Sequence, residues 1–330
     1  MRVLLTGATG FIGTALAEHL VRRGDAVRAL VRQASRTSDL ERLGVELARG
    51  DVNDPASLPA AVKDCDHVFH LAGAVKALTA EDLFRANAGG TRNVAAACAR
   101  LARPPVLVYV SSLTAAGPAV AGRPRSEDDP PAPVSMYGES KLAGEEAVRD
   151  LSDRIEASIV RPPIVYGPRD KELVPQLMRM ARLGVVVRAG PQKRYSIVHV
   201  SDLCEAIVAV AERGRRVRST GSEGTYFVED GSLHTWDEIA LAACAAFGTR
   251  ARVIALPEVA GVLVAVGSSV LATLTGTPSI LSFDKMKEVR QPAWTCTSER
   301  AAREVGYAPR LALAEGMRGA VEWFRQHRNR

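Results

Sequence analysis

The chain has 330 residues, of which 47% are hydrophobic, 24% charged and 5% aromatic. These fractions are typical of a soluble globular protein, so they exclude a disordered chain, a collagen-like repeat and a small disulfide scaffold. Lys and Arg number 43 against 37 Asp and Glu, and the net charge of +6 is scattered along the chain. We therefore expect no nucleic-acid partner.

The five cysteines lie tens of residues apart, without the spacing of a metal site: Cys65, Cys98, Cys204, Cys244 and Cys296. An odd, dispersed set is typical of reduced thiols in a cytosolic protein. The chain also begins directly with a strand pattern, MRVLLTG, in place of a charged and then apolar leader. These features predict a cytoplasmic protein that holds no metal.

Short β-branched runs alternate with helical patterns over the first half of the chain. The predicted strands are Arg2–Thr6, Ala26–Arg32, Val45–Arg49, His67–Leu71, Val106–Ser111 and Ser158–Arg161. The predicted helices are Ile12–Arg23, Ala56–Val62, Ala80–Arg100 and Tyr137–Leu151. This alternation is typical of a doubly wound α/β fold, in which helices cover both faces of a parallel sheet.

Beyond Arg161 the pattern is less regular. Helices are predicted over Leu173–Leu183, Ser201–Arg213 and Leu313–Gln326, and strands over Val185–Arg188, Thr225–Glu229 and Arg252–Leu256. We expect the helix at 201–213 and the strand at 225–229 to return to the first sheet, because such a strand needs neighbours. The remainder is expected to form a smaller C-terminal α/β lobe.

An apolar stretch without charges covers residues 259–281, although Gly, Ser and Thr interrupt it. Three interpretations remain open: a buried or substrate-lining helix, a surface in weak contact with a membrane, and a membrane span. The buried helix is favoured. With it, Met178, Met180 and Val185 are expected to line a hydrophobic substrate pocket.

Three glycines, Gly7, Gly10 and Gly13, stand between the first predicted strand and the first predicted helix. Glycine is needed there because the backbone must turn sharply and approach a pyrophosphate closely. The helix then presents its free N–H groups and partial positive charge to the phosphates. The motif predicts a dinucleotide-binding turn.

The end of the second strand bears on the choice of dinucleotide. An NAD site needs a carboxylate about 20 residues past the glycines, but VRALVRQASR contains none. Arg32 stands there, with Arg36 in reach and Arg28 earlier on the strand, and a guanidinium pairs well with a 2′-phosphate. The sequence thus favours NADP(H) over NAD(H), unless Arg32 is a solvated edge residue. Asp51 either accepts from the adenine amino group or is an ordinary turn aspartate.

Tyr137 and Lys141 form YGESK at the start of a helix, where residues four apart share one face. A neighbouring cation and an oxidised nicotinamide favour the phenolate, which predicts Tyr137 as a proton donor or acceptor at neutral pH. Ser111 and Ser112 end the fifth strand, where a hydroxyl can orient a substrate oxygen. Otherwise a serine there is only the cap of the next turn.

Several stretches, in their order and spacing, resemble the extended short-chain dehydrogenase/reductase (epimerase/dehydratase) family: TGATGFIG, GDV at 50–52, HLAG at 70–73, NAGGTRN at 87–93, YVSS, YGESK and RPPIVYGP. Similarity continues through HVSDL at 199–203 to REVGYAPRLALAEGMRGAVEW. The resemblance implies a Rossmann domain over residues 1–163 and about 199–229. It implies a substrate-binding lobe over residues 164–198 and 230–330.

The resemblance also implies roles for single residues. Tyr137 becomes the general acid/base, with Lys141 as its partner and Ser112 as the ligand of the substrate oxygen, while Asn87 supports the site. The predicted cofactor contacts are Gly7, Thr9, Gly10, Phe11, Ile12, Gly13, Arg32, Arg36, Asp51, Val52, Leu71, Ala72, Gly73, Tyr137, Lys141 and Pro162. A homodimer through the helices at 80–100 and 137–151 is expected, as is often seen in that family.

Two departures separate the chain from the sugar-nucleotide members of that family. The acid after the second strand is absent, and Ile164 stands where those members carry an Asn that holds the diphosphate. The VRALVR run is instead similar to the dihydroflavonol reductase and 3β-hydroxysteroid dehydrogenase branch. We expect an NADP(H)-dependent oxidoreductase that interconverts a ketone and a secondary alcohol on a hydrophobic small molecule. The alternatives are a nucleotide-sugar epimerase or dehydratase with tightly bound NAD, and a non-catalytic dinucleotide-binding module.

Overall fold

The computed structural model describes residues 1–77, 79–119, 122–257 and 283–327. The apolar stretch at 259–281 lies outside these residues, as do the three interpretations proposed for it. Within the described part of the chain, no helix combines the length and the apolar character that a membrane span requires.

The main sheet has seven strands, all parallel, in the order β11-β6-β5-β4-β1-β2-β3. Their β-branched and apolar residues are almost all buried, as expected for a sheet covered on both faces. The bounds are β1 (Arg2–Thr6), β2 (Ala26–Val31), β3 (Glu46–Arg49), β4 (His67–His70), β5 (Val106–Val110), β6 (Ala157–Arg161) and β11 (Thr225–Phe227).

Helices cover both faces of this sheet. One face packs against α1 (Phe11–Arg22), α9 (Val200–Arg213) and α12 (Glu299–Val305). The other packs against α3 (Leu58–Val62), α5 (Gly90–Ala99) and α7 (Met136–Arg149). The remaining helical segments near the sheet are α2 (Ser38–Arg42), a 3₁₀ turn (Pro55–Ser57), α4 (Ala80–Phe84), a π-helical turn (Arg85–Gly89) and α6 (Leu113–Ala116).

A smaller lobe has its own core between α8 (Leu173–Leu183), α10 (Trp236–Phe247) and α13 (Leu313–Gln326). The strand pair β7 (Ile164–Tyr166) with β10 (Ile197–His199) contacts α9 at the main sheet, while the pair β8 (Val185–Ala189) with β13 (Arg252–Leu256) packs on helices of the smaller lobe. A third small sheet contains β9 (Arg194–Tyr195), β12 (His234–Thr235) and β14 (Ala293–Trp294). Helix α11 (Phe283–Arg290) precedes β14.

The doubly wound fold predicted from the sequence is confirmed, with strand ends within about two residues of those expected. The helix at 201–213 and the strand at 225–229 do return to the main sheet, as α9 and β11. The predicted strands at 185–188 and 252–256 are found as β8 and β13. The sequence did not predict β7, β9, β10, β12 and β14, because strands of two or three residues show no periodicity. The predicted helix at 80–100 is interrupted by the π-helical turn, a feature often found at functional sites.

A buried ion pair ties α7 to the main sheet. The Arg161 guanidinium, at the end of β6, donates to both carboxylate oxygens of Glu145 at 2.8 and 2.6 Å. Ser111 Oγ donates to the same carboxylate at 2.6 Å. The two charged side chains are 3% and 1% exposed, so neither can exchange its partner for water. The pair therefore fixes α7 against the carboxyl ends of β5 and β6.

We expect Glu145→Ala to lower the free energy of unfolding by about 3–5 kcal/mol, because it leaves the Arg161 charge buried and unpaired. Urea unfolding followed by circular dichroism measures this loss. Arg92→Ala is the matched control, since Arg92 and Asp150 form an exposed pair at 3.5 Å, and it should change stability by less than about 0.5 kcal/mol. Equal losses in the two variants would contradict the structural role given to Glu145.

Candidate active site

A cleft of about 640 Å³ opens at the carboxyl ends of β1, β4, β5 and β6. This is the edge at which doubly wound sheets bind their ligands. The predicted residues that line the cleft are Gly7, Gly10, Phe11, Ile12, Gly13, Leu71, Gly73, Ser112, Tyr137, Lys141 and Pro162. Most of the predicted site residues are thus brought together by the fold. Thr9 lies beside the cleft, in a smaller adjoining cavity of about 330 Å³.

The glycine turn between β1 and α1 is packed too tightly for side chains. Gly7 has a φ of +72°, in the left-handed region, and a Cβ there would lie 2.7 Å from the backbone of Ala72. A Cβ on Gly13 would lie 2.1 Å from the Gly7 carbonyl oxygen. The residue before α1 is Gly10, which has no side chain to cap the first turn, and the N–H groups of that turn border the cleft. This cradle fits the diphosphate of a dinucleotide.

Asn87 holds the loop that follows β4. Its Oδ1 accepts from Ala74 N–H at 2.8 Å, and its Nδ2 donates to the Ala74 carbonyl and to Ser140 Oγ, both at 2.9 Å. A Cβ on Gly73 would lie 2.6 Å from Asn87 Oδ1, so this loop position also excludes a side chain. Asn87 thereby joins the loop at 71–74, predicted to line the cofactor, to the helix that carries Tyr137.

The buried side chain of His70 supports the loop at 71–74 through Thr6. His70 is fully buried, with Nδ1 2.7 Å from Thr6 Oγ1 and Nε2 3.0 Å from Thr91 Oγ1. Thr6 Oγ1 also accepts from Ala72 N–H at 3.2 Å. Burial lowers the pKa of His70 to about 3, with the Lys141 charge acting in the same direction. His70 is therefore a neutral structural residue at physiological pH.

Ser112 caps the turn that follows β5, which is one of the two roles that its position allowed; its predicted contact with a substrate oxygen stays a prediction. Its Oγ caps α6 by accepting from Thr114 N–H at 3.2 Å and from Thr114 Oγ1 at 2.8 Å. Ser112 and Tyr137 both line the cleft, and Ser112 lowers the pKa of the Tyr137 phenol. The Ser111 hydroxyl is instead bonded to Glu145. Of the two serines, Ser112 is therefore the one placed to contact a substrate oxygen in the cleft.

The ammonium of Lys141 lies one turn beyond Tyr137 on the same face of α7. It donates to the Val110 carbonyl at 2.8 Å and lies 4.3 Å from the centre of the Tyr109 ring. The side chain is buried, and burial lowers the pKa of Lys141 to about 7, opposed by the charge of Glu145. The ammonium also borders Gly73, where the cofactor loop approaches α7.

Burial is the main influence on the pKa of Tyr137 and raises it to about 12, while Ser112 lowers it. At neutral pH Tyr137 is consequently protonated, as a proton donor must be. The predicted joint effect of Lys141 and an oxidised nicotinamide on this pKa stays a prediction.

The end of β2 carries two exposed arginines. Because Thr6 pairs with Leu30, Arg32 lies beside the glycine turn, and Arg36 follows in the next loop. Among the described residues neither guanidinium has a carboxylate partner within ion-pair distance. Arg28 does not belong to this group: it pairs with Glu46 at 2.8 Å and donates to backbone carbonyls on the side of the sheet that α3 covers.

Asp51 and Val52 follow β3 at the same edge of the sheet. The Asp51 carboxylate accepts from Asn53 N–H at 2.9 Å, which is the geometry of a turn aspartate. Val52 is 9% exposed and packs against Gly90, where a Cβ would lie 2.8 Å from its methyl group. Neither residue borders the main cleft, so their predicted contact with adenine stays a prediction.

The walls of the cleft away from the glycine turn come from six elements of the structure. They are formed by Val75, Ile164, Leu173, Tyr195, Glu288, Val289 and Trp294, of which the sequence did not single out Val75, Leu173, Glu288, Val289 and Trp294. The expected pocket residues Met178, Met180 and Val185 are not among them. The apolar face of α8 packs on α10 and α13, which places Met178 in the core of the smaller lobe. Only the first residue of α8, Leu173, reaches the cleft.

No cluster of His, Cys, Asp and Glu suited to a metal ion occurs within residues 1–77, 79–119, 122–257 and 283–327. The five cysteines are free and buried.

Comparison with known proteins gives matches over nearly the whole chain. A model of the NAD dependent epimerase/dehydratase family matches residues 3–222. The chain is 34% identical over 328 residues to the ceramide reductase of Caulobacter vibrioides, covering 98% of this chain and 94% of that protein. It is 31% identical over 338 residues to the 2-alkyl-3-oxoalkanoate reductase of Stenotrophomonas maltophilia, covering 96% and 98%. The UDP-glucose 4-epimerase of Thermus thermophilus, solved in complex with NAD, is 25% identical with a TM-score of 0.76, covering 98% and 99%.

We expect Gly13→Ala to weaken NADPH and NADH binding by more than about tenfold, because the new methyl group collides with the Gly7 carbonyl and distorts the turn. Isothermal titration calorimetry measures both affinities. Gly319→Ala is the control, since a Cβ at this position of α13 meets no atom within 4 Å. Retained affinity in a folded Gly13→Ala protein would contradict the assignment of the cradle.

Proposed function

Since this chain belongs to the NAD-dependent epimerase/dehydratase family and is an NAD(P)-dependent oxidoreductase of its extended short-chain dehydrogenase type, we propose that it uses NADPH to reduce a ketone on a hydrophobic small molecule. The reverse oxidation of the secondary alcohol is the same reaction at the same site. The observation that carries this proposal is that Ser112, Tyr137 and Lys141 line one cleft together with the glycine turn.

In this mechanism the reduced dinucleotide, when bound, supplies a hydride to the carbonyl carbon. Ser112 Oγ hydrogen-bonds the carbonyl oxygen and directs it toward the phenol. Tyr137 donates its phenolic proton to that oxygen as the alkoxide forms, which yields the alcohol. Lys141, held by the Val110 carbonyl beside Gly73, would hold the nicotinamide ribose and keep a positive charge near the phenol as it loses its proton.

The cleft itself supports a hydrophobic substrate. Its far walls are formed by aliphatic and aromatic side chains, among them Ile164, Leu173, Val289 and Trp294. Burying apolar substrate area against such walls contributes roughly 25 cal/mol per Å². Ceramide and 2-alkyl-3-oxoalkanoates are the substrates named for two relatives of this chain, and both are hydrophobic. We therefore favour a ketone that carries a long alkyl chain.

NADPH is preferred to NADH in this proposal because of the charge at the end of β2. Arg32 and Arg36 are exposed beside the glycine turn, where a 2′-phosphate on the adenosine ribose would accept from a guanidinium. The next acid along the chain, Asp39, forms an ion pair with Arg42. NAD(H) remains the alternative cofactor, since the structural relative from Thermus thermophilus was solved with NAD.

In this proposal the two parts of the chain bind different molecules. Residues 1–163 and about 199–229 bind the dinucleotide, and residues 164–198 and 230–330 bind the substrate.

The enzyme works in the cytoplasm, in keeping with five buried free thiols. Two copies pair through the helices within 80–100 and 137–151, and residues 259–281 contribute the apolar contact with substrate or with a membrane surface.

A nucleotide-sugar epimerase is the second candidate, favoured by the similarity to the Thermus thermophilus enzyme. Ile164 weakens this candidate, because an aliphatic side chain lines the cleft where a diphosphate would need a hydrogen-bond donor. Purified protein that retains stoichiometric NAD and turns over no cofactor would support the epimerase. Net consumption of added NADPH supports the reductase.

Tyr137→Phe should reduce turnover by at least about 100-fold, because the proton donor is lost, and should leave NADPH binding unchanged. A panel of hydrophobic ketones and alcohols, assayed with NADPH and NADH through nicotinamide absorbance, measures turnover and identifies the substrate class. Calorimetry of the same variant measures NADPH binding. Wild-type turnover in this variant would rule out Tyr137 as the general acid.

Arg32→Ala should weaken NADPH binding by on the order of 10-fold to 100-fold, because a charge-assisted bond to the 2′-phosphate is lost. NADH binding should change little. Arg103→Ala is the matched control, since Arg103 is also an exposed arginine but lies before β5, at the opposite edge of the sheet. An unchanged ratio of the two affinities would make Arg32 a solvated surface residue.

A further inference from the structure

The first turn of α7 is held from outside the main sheet by α11. Met136 N–H donates to both carboxylate oxygens of Asp284, at 3.0 and 2.9 Å. Ser135 caps α7 and donates from Oγ to Glu288 Oε1 at 2.6 Å. Since positions 284 and 288 are one helical turn apart, both carboxylates approach α7 from the same face of α11. Tyr137 is the next residue of this turn.

Helix α11 is itself attached to the smaller lobe. Trp294 of β14 donates from Nε1 to the Glu288 carbonyl at 2.8 Å. The Lys193 ammonium, between β8 and β9, donates to the Val289 carbonyl. Glu288 is 5% exposed, and Glu288 and Val289 both line the cleft. One short helix therefore forms part of the proposed substrate wall and also caps the helix of the general acid.

We infer that Asp284 and Glu288 are positioning residues for Tyr137, an inference that rests on the proposed function. Their carboxylates fix the N–H group of Met136 and the capping hydroxyl of Ser135, so the position of α11 sets where the phenol lies relative to Ser112. Negative charge at the start of a helix is also favourable for the helix dipole. A substrate that contacts α11 is thus coupled to the proton donor through two hydrogen-bonding carboxylates.

Four polar groups face the Tyr137 phenol from the elements around it. Ser112 lowers the pKa of the phenol, while the charges of Glu288 and Glu172 raise it. Lys141 lies in the next turn of α7. Burial of the phenol is the largest influence on its pKa and raises it. Removing the charge of Glu288 consequently lowers the pKa of Tyr137. Because reduction needs the protonated phenol, the alkaline limb of the rate profile moves to lower pH.

Two variants distinguish the attachment of α7 by Asp284 and Glu288 from the effect of the Glu288 charge on the pKa of Tyr137. Glu288→Gln keeps the size of the side chain and an acceptor for Ser135, so we expect it to retain kcat at acidic pH and to shift the alkaline limb to lower pH. The double variant Asp284→Ala with Glu288→Ala removes both attachments, and we expect kcat to fall about tenfold. NADPH affinity, measured by calorimetry, should stay unchanged in both, because the glycine turn is untouched.

A spectroscopic titration provides a readout independent of turnover. Ultraviolet difference spectra, with the Tyr137→Phe spectrum subtracted, report ionisation of this phenol, and its midpoint should fall in Glu288→Gln. Glu139→Gln is the matched control, because Glu139 is an exposed acid in the same first turn of α7, and it should behave as wild type.

The inference is overturned if Glu288→Gln moves neither the pH profile nor the phenol titration, or if the double variant keeps wild-type kcat. Thermal melts establish that each variant is folded; if the double variant is not, the nearly isosteric Glu288→Gln decides. Full activity of Tyr137→Phe would contradict the proposed function but not the positioning inference. The spectroscopic titration measures the effect of Glu288 on the Tyr137 phenol without any turnover.

Discussion

The amide of Asn87 is the contact on which the arrangement of the cleft depends. It is fully buried and makes three hydrogen bonds, two to the backbone of Ala74 and one to Ser140. Leaving any of these groups unsatisfied would cost about 1–3 kcal/mol. Because Ser140 Oγ donates in turn to the Tyr137 carbonyl at 2.8 Å, one amide sets the distance between the loop after β4 and the helix that carries Tyr137. Glycine at position 73 follows from that short distance.

The first three turns of helix α7 are each held by hydrogen bonds or an ion pair, and each of these contacts fixes the helix relative to the cleft. Its start is held by carboxylates from α11, its second turn by the Asn87 amide and by the Lys141 bond to Val110, and its third turn by the Glu145–Arg161 pair. Reacting groups on such a rigid element keep their geometry better than groups on loops. The smaller lobe supplies only the first of these attachments, so it influences the phenol while the sheet fixes the rest of the helix.

The sequence predicted those features that are encoded locally. The sheet follows from the alternation of strand and helix patterns, the glycine turn from backbone sterics, and Tyr137 with Lys141 from the helical period. Glu288 and Trp294 were missed because they lie on a short helix and a two-residue strand, whose positions are decided by packing against distant segments. The helical period also identified the apolar face of α8, but it could not show which helices this face packs against. Met178 was therefore predicted to line the cleft, although it lies in the core of the smaller lobe. The raised pKa of Tyr137 required knowledge of its burial.

The order of strands in the main sheet has a consequence for biosynthesis. The edge strand β11 follows α8 and β10 in the chain, yet it pairs with β6, which was completed more than sixty residues earlier. A nascent polypeptide that has left the ribosome only as far as Arg161 therefore has β6 as an open edge, and α9 is not yet available to cover one face. Unpaired strand edges and bare apolar faces are the features that chaperones protect during translation. The main sheet thus gains its last strand only after part of the smaller lobe has been synthesised.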